Sequence, residues 1–221
     1  MASTQDTPDE TKSTIYHIDP KTISVRKNWN CRDFKDPANL QHVEQLAESI
    51  KEAGVKEPLT VVMEGKTPVL VNGESRLRAI QRLEEQGHIV ETVPVQLNDP
   101  DISEADKFAE QILRNSGKPY TVLEQCEVFL RLRDLGWDDK KIAQNAGVGI
   151  ERMRQIVLLR HATPAVRKQI QDGTVSATIV QKLLQQEERD GEAAEMRVND
   201  AIERAKAEGK SKVGPRHVLP K

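Results

Sequence analysis

Val71-Asn72-Gly73-Glu74-Ser75-Arg76-Leu77-Arg78-Ala79 decides how this chain is read. A largely β-branched run, Pro68-Val69-Leu70-Val71, leads into it and stops at Gly73. A helical pattern begins at once, with Leu77, Ile80 and Leu83 on one side and Gly87 as the stop. The order is strand, tight turn, helix. Such a turn lies at a helix N-terminus, where unpaired N–H groups and the helix dipole favour an anion. Gly73 lets backbone approach a ligand closely. Arg76 and Arg78, in the first turns, offer forked donors suited to phosphate oxygens. Two readings stay open: an anion pocket, or a solvated helix start whose arginines pair with Glu84, Glu85 or solvent.

The segments around this stretch define the first part of the chain. Thr14-Ile15-Tyr16-His17-Ile18 reads as a short strand closed by Asp19-Pro20, and Ile23-Ser24-Val25 as a second extended piece. Residues 26–37 mix charge, Asn and Pro and read as a loop. Leu40, Val43, Leu46, Ala47 and Ile50 fall on one helical face, with Gly54 as the stop. Residues 58–63 and 68–71 form a hairpin about Glu64-Gly65-Lys66-Thr67. A last strand runs over residues 92–97 before Asn98-Asp99-Pro100. Strands interleaved with helices predict a small α+β domain over residues 14–99. Ser103 then opens a helix in the pattern of a hydroxyl followed three residues on by an acid, with Ala105, Phe108 and Ile112 inward. It spans a linking region, 100–119, that ends in a breaker holding Gly117 and Pro119.

Composition bounds the setting. The chain has 221 residues, 31% charged and 37% apolar, with a net charge of −2. That length fits one large or two small domains, and any nucleic-acid contact must come from a local basic patch. Cys31 and Cys126 lie far apart, and the five histidines are scattered, so no zinc spacing exists. Residues 1–13 are polar and acidic and read as a disordered tail, not a signal peptide. No stretch has membrane-spanning length. The expectation is a cytoplasmic protein with reduced thiols.

Past the breaker the pattern is all helical. Leu123, Val128, Leu130, Leu132 and Leu135 support a helix ending at Gly136. Residues 138–146 make a helix with Ile142 and Ala143 inside, Gly147-Val148-Gly149 a turn, and residues 150–159 a second helix with Met153, Ile156 and Val157 inward. That is helix-turn-helix spacing. Its second helix enters the major groove by its N-terminal half, where Gly149, Glu151, Arg152, Arg154 and Gln155 point outward, and Arg152, Arg154 and Gln155 are the expected base readers. Arg suits guanine, Gln adenine and Glu cytosine. Lys140, Lys141, Arg160, Arg167 and Lys168 add phosphate-binding charge around the unit. The alternative is an ordinary αα-hairpin whose second helix is merely solvated. Residues 164–170 and 176–184 continue as helices, with Ser176 and Thr178 placed either to touch phosphates or to cap. A charged region follows, with the thin helical stripe Ala194, Val198, Ala201, Ile202 and Ala205, and then a basic tail from Gly209.

The box Asn72 to Ala79 resembles the Gly-Glu-Arg-Arg-x-Arg-Ala box of the ParB family of partition proteins, with Ser75 departing at the first paired arginine. The run from Leu46 to Leu59 is similar to the family segment ahead of that box. Glu110-Gln111-Ile112-Leu113-Arg114 resembles the motif Glu-Asn-x-x-Arg, with Gln111 for Asn, and Gly173-Thr174-Val175-Ser176-Ala177 the segment supporting the helix-turn-helix. The resemblance covers residues 15–187. It implies a ParB/sulfiredoxin-like N-terminal domain and a helix-turn-helix domain over 120–187. It implies CTP at Arg32, Gly54, Pro58, Gly73, Glu74, Ser75, Arg76, Arg78 and Arg114, and Mg2+ held by Glu110 and Gln111. It implies double-stranded DNA bound through Lys140, Lys141, Gly149, Glu151, Arg152, Arg154, Gln155, Arg160, Lys168, Ser176 and Thr178. A homodimer closing as a nucleotide-dependent clamp and a ParA-type ATPase partner are implied too. Family members usually continue into a C-terminal dimerisation domain, for which 188–221 is short.

The other function classes follow from departures. Ser75 and Gln111 motivate a plasmid or phage regulator of the same fold without nucleotide switching. Sulfiredoxin chemistry is excluded, because Glu74 and Ser75 stand where its box carries Cys and His. Nuclease action has no His or carboxylate cluster behind it. Slow CTP hydrolysis stays open, with no catalytic residue named.

Overall fold

The computed structural model describes residues 14–27, 29–113 and 118–218, and of 111–113 the backbone alone. The expected tail at 1–13, Arg114 and the side chains of Gln111 and Ile112 lie outside the described residues. The chain divides into two units, Met1–Asn30 with Phe34–Gln111 and Cys31–Asp33 with Ile112–Lys221.

In the first unit, β1 (Ile15–Ile18), β2 (Leu59–Glu64), β3 (Thr67–Asn72) and β4 (Val93–Leu97) form one sheet in the order β1-β4-β2-β3. β1 pairs antiparallel with β4 and β2 with β3, while β2 and β4 run parallel. That parallel pairing needs a crossover, which β3 and the following helix supply. Helices α1 (Pro37–Ala53) and α2 (Glu74–Glu85) pack together and α3 (Glu104–Leu113) comes last. Val61 and Leu70 join one core with Val43, Ala47, Ile50, Leu77, Ile80 and Leu83. Val62, Val69 and Val71 take the other face and are buried there as well. Burial on both faces explains the continuous apolar run in place of strict alternation. Trp29 reaches this second face, its indole N–H donating to the Val71 carbonyl at 3.1 Å and its ring edge-to-face with Phe108 at 5.5 Å. The expected extended piece at 23–25 reduces to one parallel bridge, Ser24 to Val69.

Local chemistry sets the ends. Asp36 accepts from the Ala38 N–H and Pro37 occupies the first turn, so α1 starts three residues before the periodic Leu40. Ser103 does cap α3, accepting from the Asp106 N–H at 3.1 Å. Asp106, one methylene shorter than glutamate, meets the Ser103 hydroxyl at 2.5 Å. The full capping box is at Thr121 and Glu124 instead.

The second unit is helical: α4 (Val122–Asp134), α5 (Asp139–Asn145), α6 (Ile150–Leu158), α7 (Pro164–Gln171), α8 (Ala177–Gln186), α9 (Gly191–Ala207) and the short α10 (Pro215–Val218). Met153, Ile156, Ile142 and Ala143 are buried, as the spacing predicts, together with Phe129, Leu132, Leu159 and Leu183. Leu135 is exposed, because it caps α4 after its last turn. The stretch from Gly209, which reads as a tail, folds back onto α9. Arg197 and Arg204 donate to the carbonyls of Val218 and His217 at 3.2 and 3.3 Å, and Val213, His217 and Val218 are buried. The pattern is too short for periodicity to reveal, and the bonds that hold it come from another helix. No helix among the described residues is long and apolar enough to cross a membrane.

Candidate anion pocket and nucleic-acid interface

β3 ends at Asn72, and Gly73 turns the chain into α2 at φ +106. A Cβ at Gly73 would stand 2.5 Å from Leu59 Cδ2, on the neighbouring strand. Opposite the turn, the β2–β3 register shifts between Thr60 and Val61, a bulge that bends the strand at the site's edge. Gly73 has no side chain to cap α2, which leaves the helix's first N–H groups at the positive end of its dipole.

Around that terminus the structure gathers Pro58, Gly73, Glu74, Ser75, Arg76 and Arg78. Arg76 donates from one nitrogen to the carbonyls of Glu57 and Pro58, both at 2.7 Å, and its guanidinium lies 3.7 Å from the Glu57 carboxylate. Burial pushes its pKa down while Glu57 pulls it up, and it stays charged. Arg78 makes two bonds to the nearly buried Glu74 carboxylate, at 2.9 and 2.7 Å, and stacks over the Phe34 ring at 4.0 Å. Neither arginine pairs with Glu84 or Glu85; Arg82 takes Glu85 and Glu44. Gly54, at φ +70, ends α1 on the same approach to β2. Phe34 and Glu57 were missed by sequence reasoning; an aromatic in a polar loop was the one available signal.

Arg32 groups with the helical unit, donates to the Lys118 carbonyl at 2.8 Å and lies over Tyr120 at 4.9 Å. Glu110 accepts from Asn98 at 3.1 Å. No cluster of three or more His, Cys, Asp or Glu able to hold a metal occurs among the described residues. The cysteine thiols are pushed up by burial, Cys31 to about 12 and Cys126 to about 11, which leaves almost no thiolate to act as a nucleophile.

In the second unit α5 and α6 meet across Gly147, whose φ of +66 closes the turn. The Val148 N–H donates to Ala143 O at 3.0 Å, and Gly149 caps α6. Glu151, Arg152, Arg154 and Gln155 all face solvent. Arg154 is oriented by Glu151 at 2.9 Å and Asp139 at 3.4 Å. Arg152 donates to Gln181 of α8 at 3.3 Å. Lys140, Arg160, Lys168 and Thr178 are exposed, and Lys141 sits over the Trp137 ring at 3.9 Å. Ser176 caps α8 through the Ile179 N–H. Arg167 turns inward, donating to Glu127 at 2.6 Å and to Leu159 and Ala162 carbonyls. His161 is pushed down by burial and by Arg160 and Arg189, so the neutral ring dominates near pH 7.

A small mixed sheet with a positive-φ glycine at a helix start, followed by a helix-turn-helix unit, defines an α+β protein with an appended helical unit. This chain belongs to the ParB N-terminal domain family, which it matches over residues 4–115. It is 30% identical over 161 residues to a Deinococcus radiodurans protein named probable chromosome 1-partitioning protein ParB, covering 72% of this chain and 52% of that one. The chain thus spans about half the length of this curated relative. Its fold is similar to the C-terminally truncated Caulobacter crescentus partitioning protein ParB complexed to the centromeric parS site, with TM-score 0.57 and 18% identity over 86% of this chain and 92% of that one. It is similar also to a Pnob8-like ParB-N domain, with TM-score 0.53 and 16% identity over 88% and 96%.

Proposed function

We propose that this chain is a partition protein that reads a centromere-like duplex with α6 and carries a CTP site at the start of α2. The observation that carries the DNA reading is the row Glu151, Arg152, Arg154 and Gln155, solvent-facing at the start of a helix whose opposite face is packed. The relatives named above, one a probable partitioning protein and one complexed to parS, support the same reading. In it, Arg152, Arg154 and Gln155 touch base edges, while Lys140, Lys141, Arg160 and Lys168 meet phosphates.

The test is binding to a parS-type duplex against a scrambled one across a salt series. Arg154→Ala is expected to lose about tenfold or more in affinity and to relax preference at one base pair. Lys168→Ala is expected to weaken both duplexes alike and to reduce the salt slope by about one. Equal binding of both duplexes by the unaltered protein would overturn the reading.

For the nucleotide, the uncapped α2 terminus supplies N–H donors, Arg78 a guanidinium, and Arg76 holds the Glu57–Pro58 carbonyls against the turn. Mg2+ is commonly held by one or two carboxylates together with nucleotide phosphates; in this reading Glu110, whose carboxylate also accepts from Asn98, would supply the carboxylate and Gln111 an amide oxygen. The cation would neutralise phosphate charge. A homodimer closing as a clamp, and a ParA-type ATPase as partner, complete the proposal; linkage then requires CTP and DNA to alter each other's affinity. Titration calorimetry with CTP and Mg2+ is expected to give heat that Arg78→Ala weakens about tenfold. A second reading, a regulator without nucleotide switching, draws on the guanidiniums of Arg76 and Arg78 already engaging the chain's own oxygens. Absence of heat with CTP would favour it.

A further inference from the structure

We propose that Gln181, on α8, is a specificity-determining positioning residue that aims the Arg152 guanidinium at its base. This rests on the reading of α6 as the base-contacting helix. Gln181 is 4% exposed, in a helix whose Val180, Leu183 and Leu184 are core. Its Oε1 accepts from an Arg152 terminal nitrogen at 3.3 Å. Its Nε2 is buried and has no hydrogen-bond partner among the described residues.

An unpaired buried amide donor is a net cost to folding, and an apolar residue of similar size at the same place avoids it. The amide cannot be turned round to relieve this. The turned amide would set two donors, Nε2 and the Arg152 N–H, against each other and strand Oε1 instead. Gln181 therefore detracts from the core and acts on one group that leaves it, Arg152. An arginine side chain carries large rotamer entropy, which is lost when it docks on a base. Tying one guanidinium nitrogen to a buried, immobile acceptor removes part of that loss in advance. It also fixes which edge of the fork points outward. Arg154 is held differently, by exposed Glu151 and half-buried Asp139, so its aim depends on surface ion pairs, which are weak and salt-sensitive. Of the two arginines, Arg152 is the one whose direction the core sets.

The experiment selects bound duplexes from a pool with a randomised central segment, using the full chain, and compares base preference position by position. Gln181→Leu is expected to keep the melting temperature or raise it, and to flatten preference about tenfold at the base pair that Arg152→Ala also flattens. Its salt slope is expected to stay unchanged. Gln181→Glu, which keeps an acceptor and has no stranded donor, is expected to retain the preference. In the Arg152→Ala background Gln181→Leu is expected to add nothing. Preference left intact by Gln181→Leu while Arg152→Ala flattens it would overturn the positioning role and leave the reading of α6 standing. An unselective unaltered protein, or an Arg152→Ala variant with unchanged preference, would overturn both.

Discussion

Gly73→Ala is expected to destabilise the first unit by about 2–5 kcal/mol. Two effects add. Gly73 sits at φ +106, where a side chain raises the energy by roughly 1–2 kcal/mol. The new methyl would also stand 2.5 Å from Leu59 Cδ2, on a side chain fully buried between β-strand and helix, and such overpacking costs about 1–3 kcal/mol. Gly65→Ala separates the two terms: its φ is +61, but nothing lies within 4 Å of a Cβ there. Hydrogen exchange of the β2 and β3 amides in the two variants is the measurement. Equal protection would show that Leu59 yields and that strain alone acts. The same substitution also displaces the start of α2, so it is expected to remove nucleotide binding together with stability.

Gly191→Ala is expected to have a similar effect on the helical unit, for another reason. Gly191 is not among the positive-φ residues, so its backbone is unstrained. A Cβ would lie 2.2 Å from the His161 carbonyl oxygen, a backbone atom with no rotamer to escape into. Either α9 or the turn after α6 must move. Retreat of α9 would break the 2.5 Å bond between Thr163 and Glu195. A lost hydrogen bond costs about 1 kcal/mol and the overpacking about 1–3 kcal/mol, so a loss of about 2–4 kcal/mol is expected on denaturant unfolding. His161 ends the turn directly after α6, so DNA affinity is expected to fall as well. Gly149→Ala is the comparison for stability, since a Cβ there meets nothing within 4 Å; equal stability of the two variants would refute the collision.

Much of this architecture was legible in the chain. The hairpin 58–71, the turn at Gly73, the α1 stop at Gly54 and the helix pair about Gly147 depend on residues within a few positions of one another. Local sterics, periodicity and caps decide such features, and those are properties of sequence. The outward set on α6 followed from the same periodicity, because Met153, Ile156 and Val157 leave one face for solvent. What tertiary structure alone decided concerns partners distant in the chain. Nothing near Gly191 announces the His161 carbonyl, thirty residues earlier. Arg167 looked like patch charge until Glu127 and two carbonyls claimed it. Arg152 and Gln181 are 29 residues apart and meet because α6 and α8 pack. Side-chain direction along a helix is fixed by local geometry, but which oxygen a long arginine finds depends on what packing brings beside it.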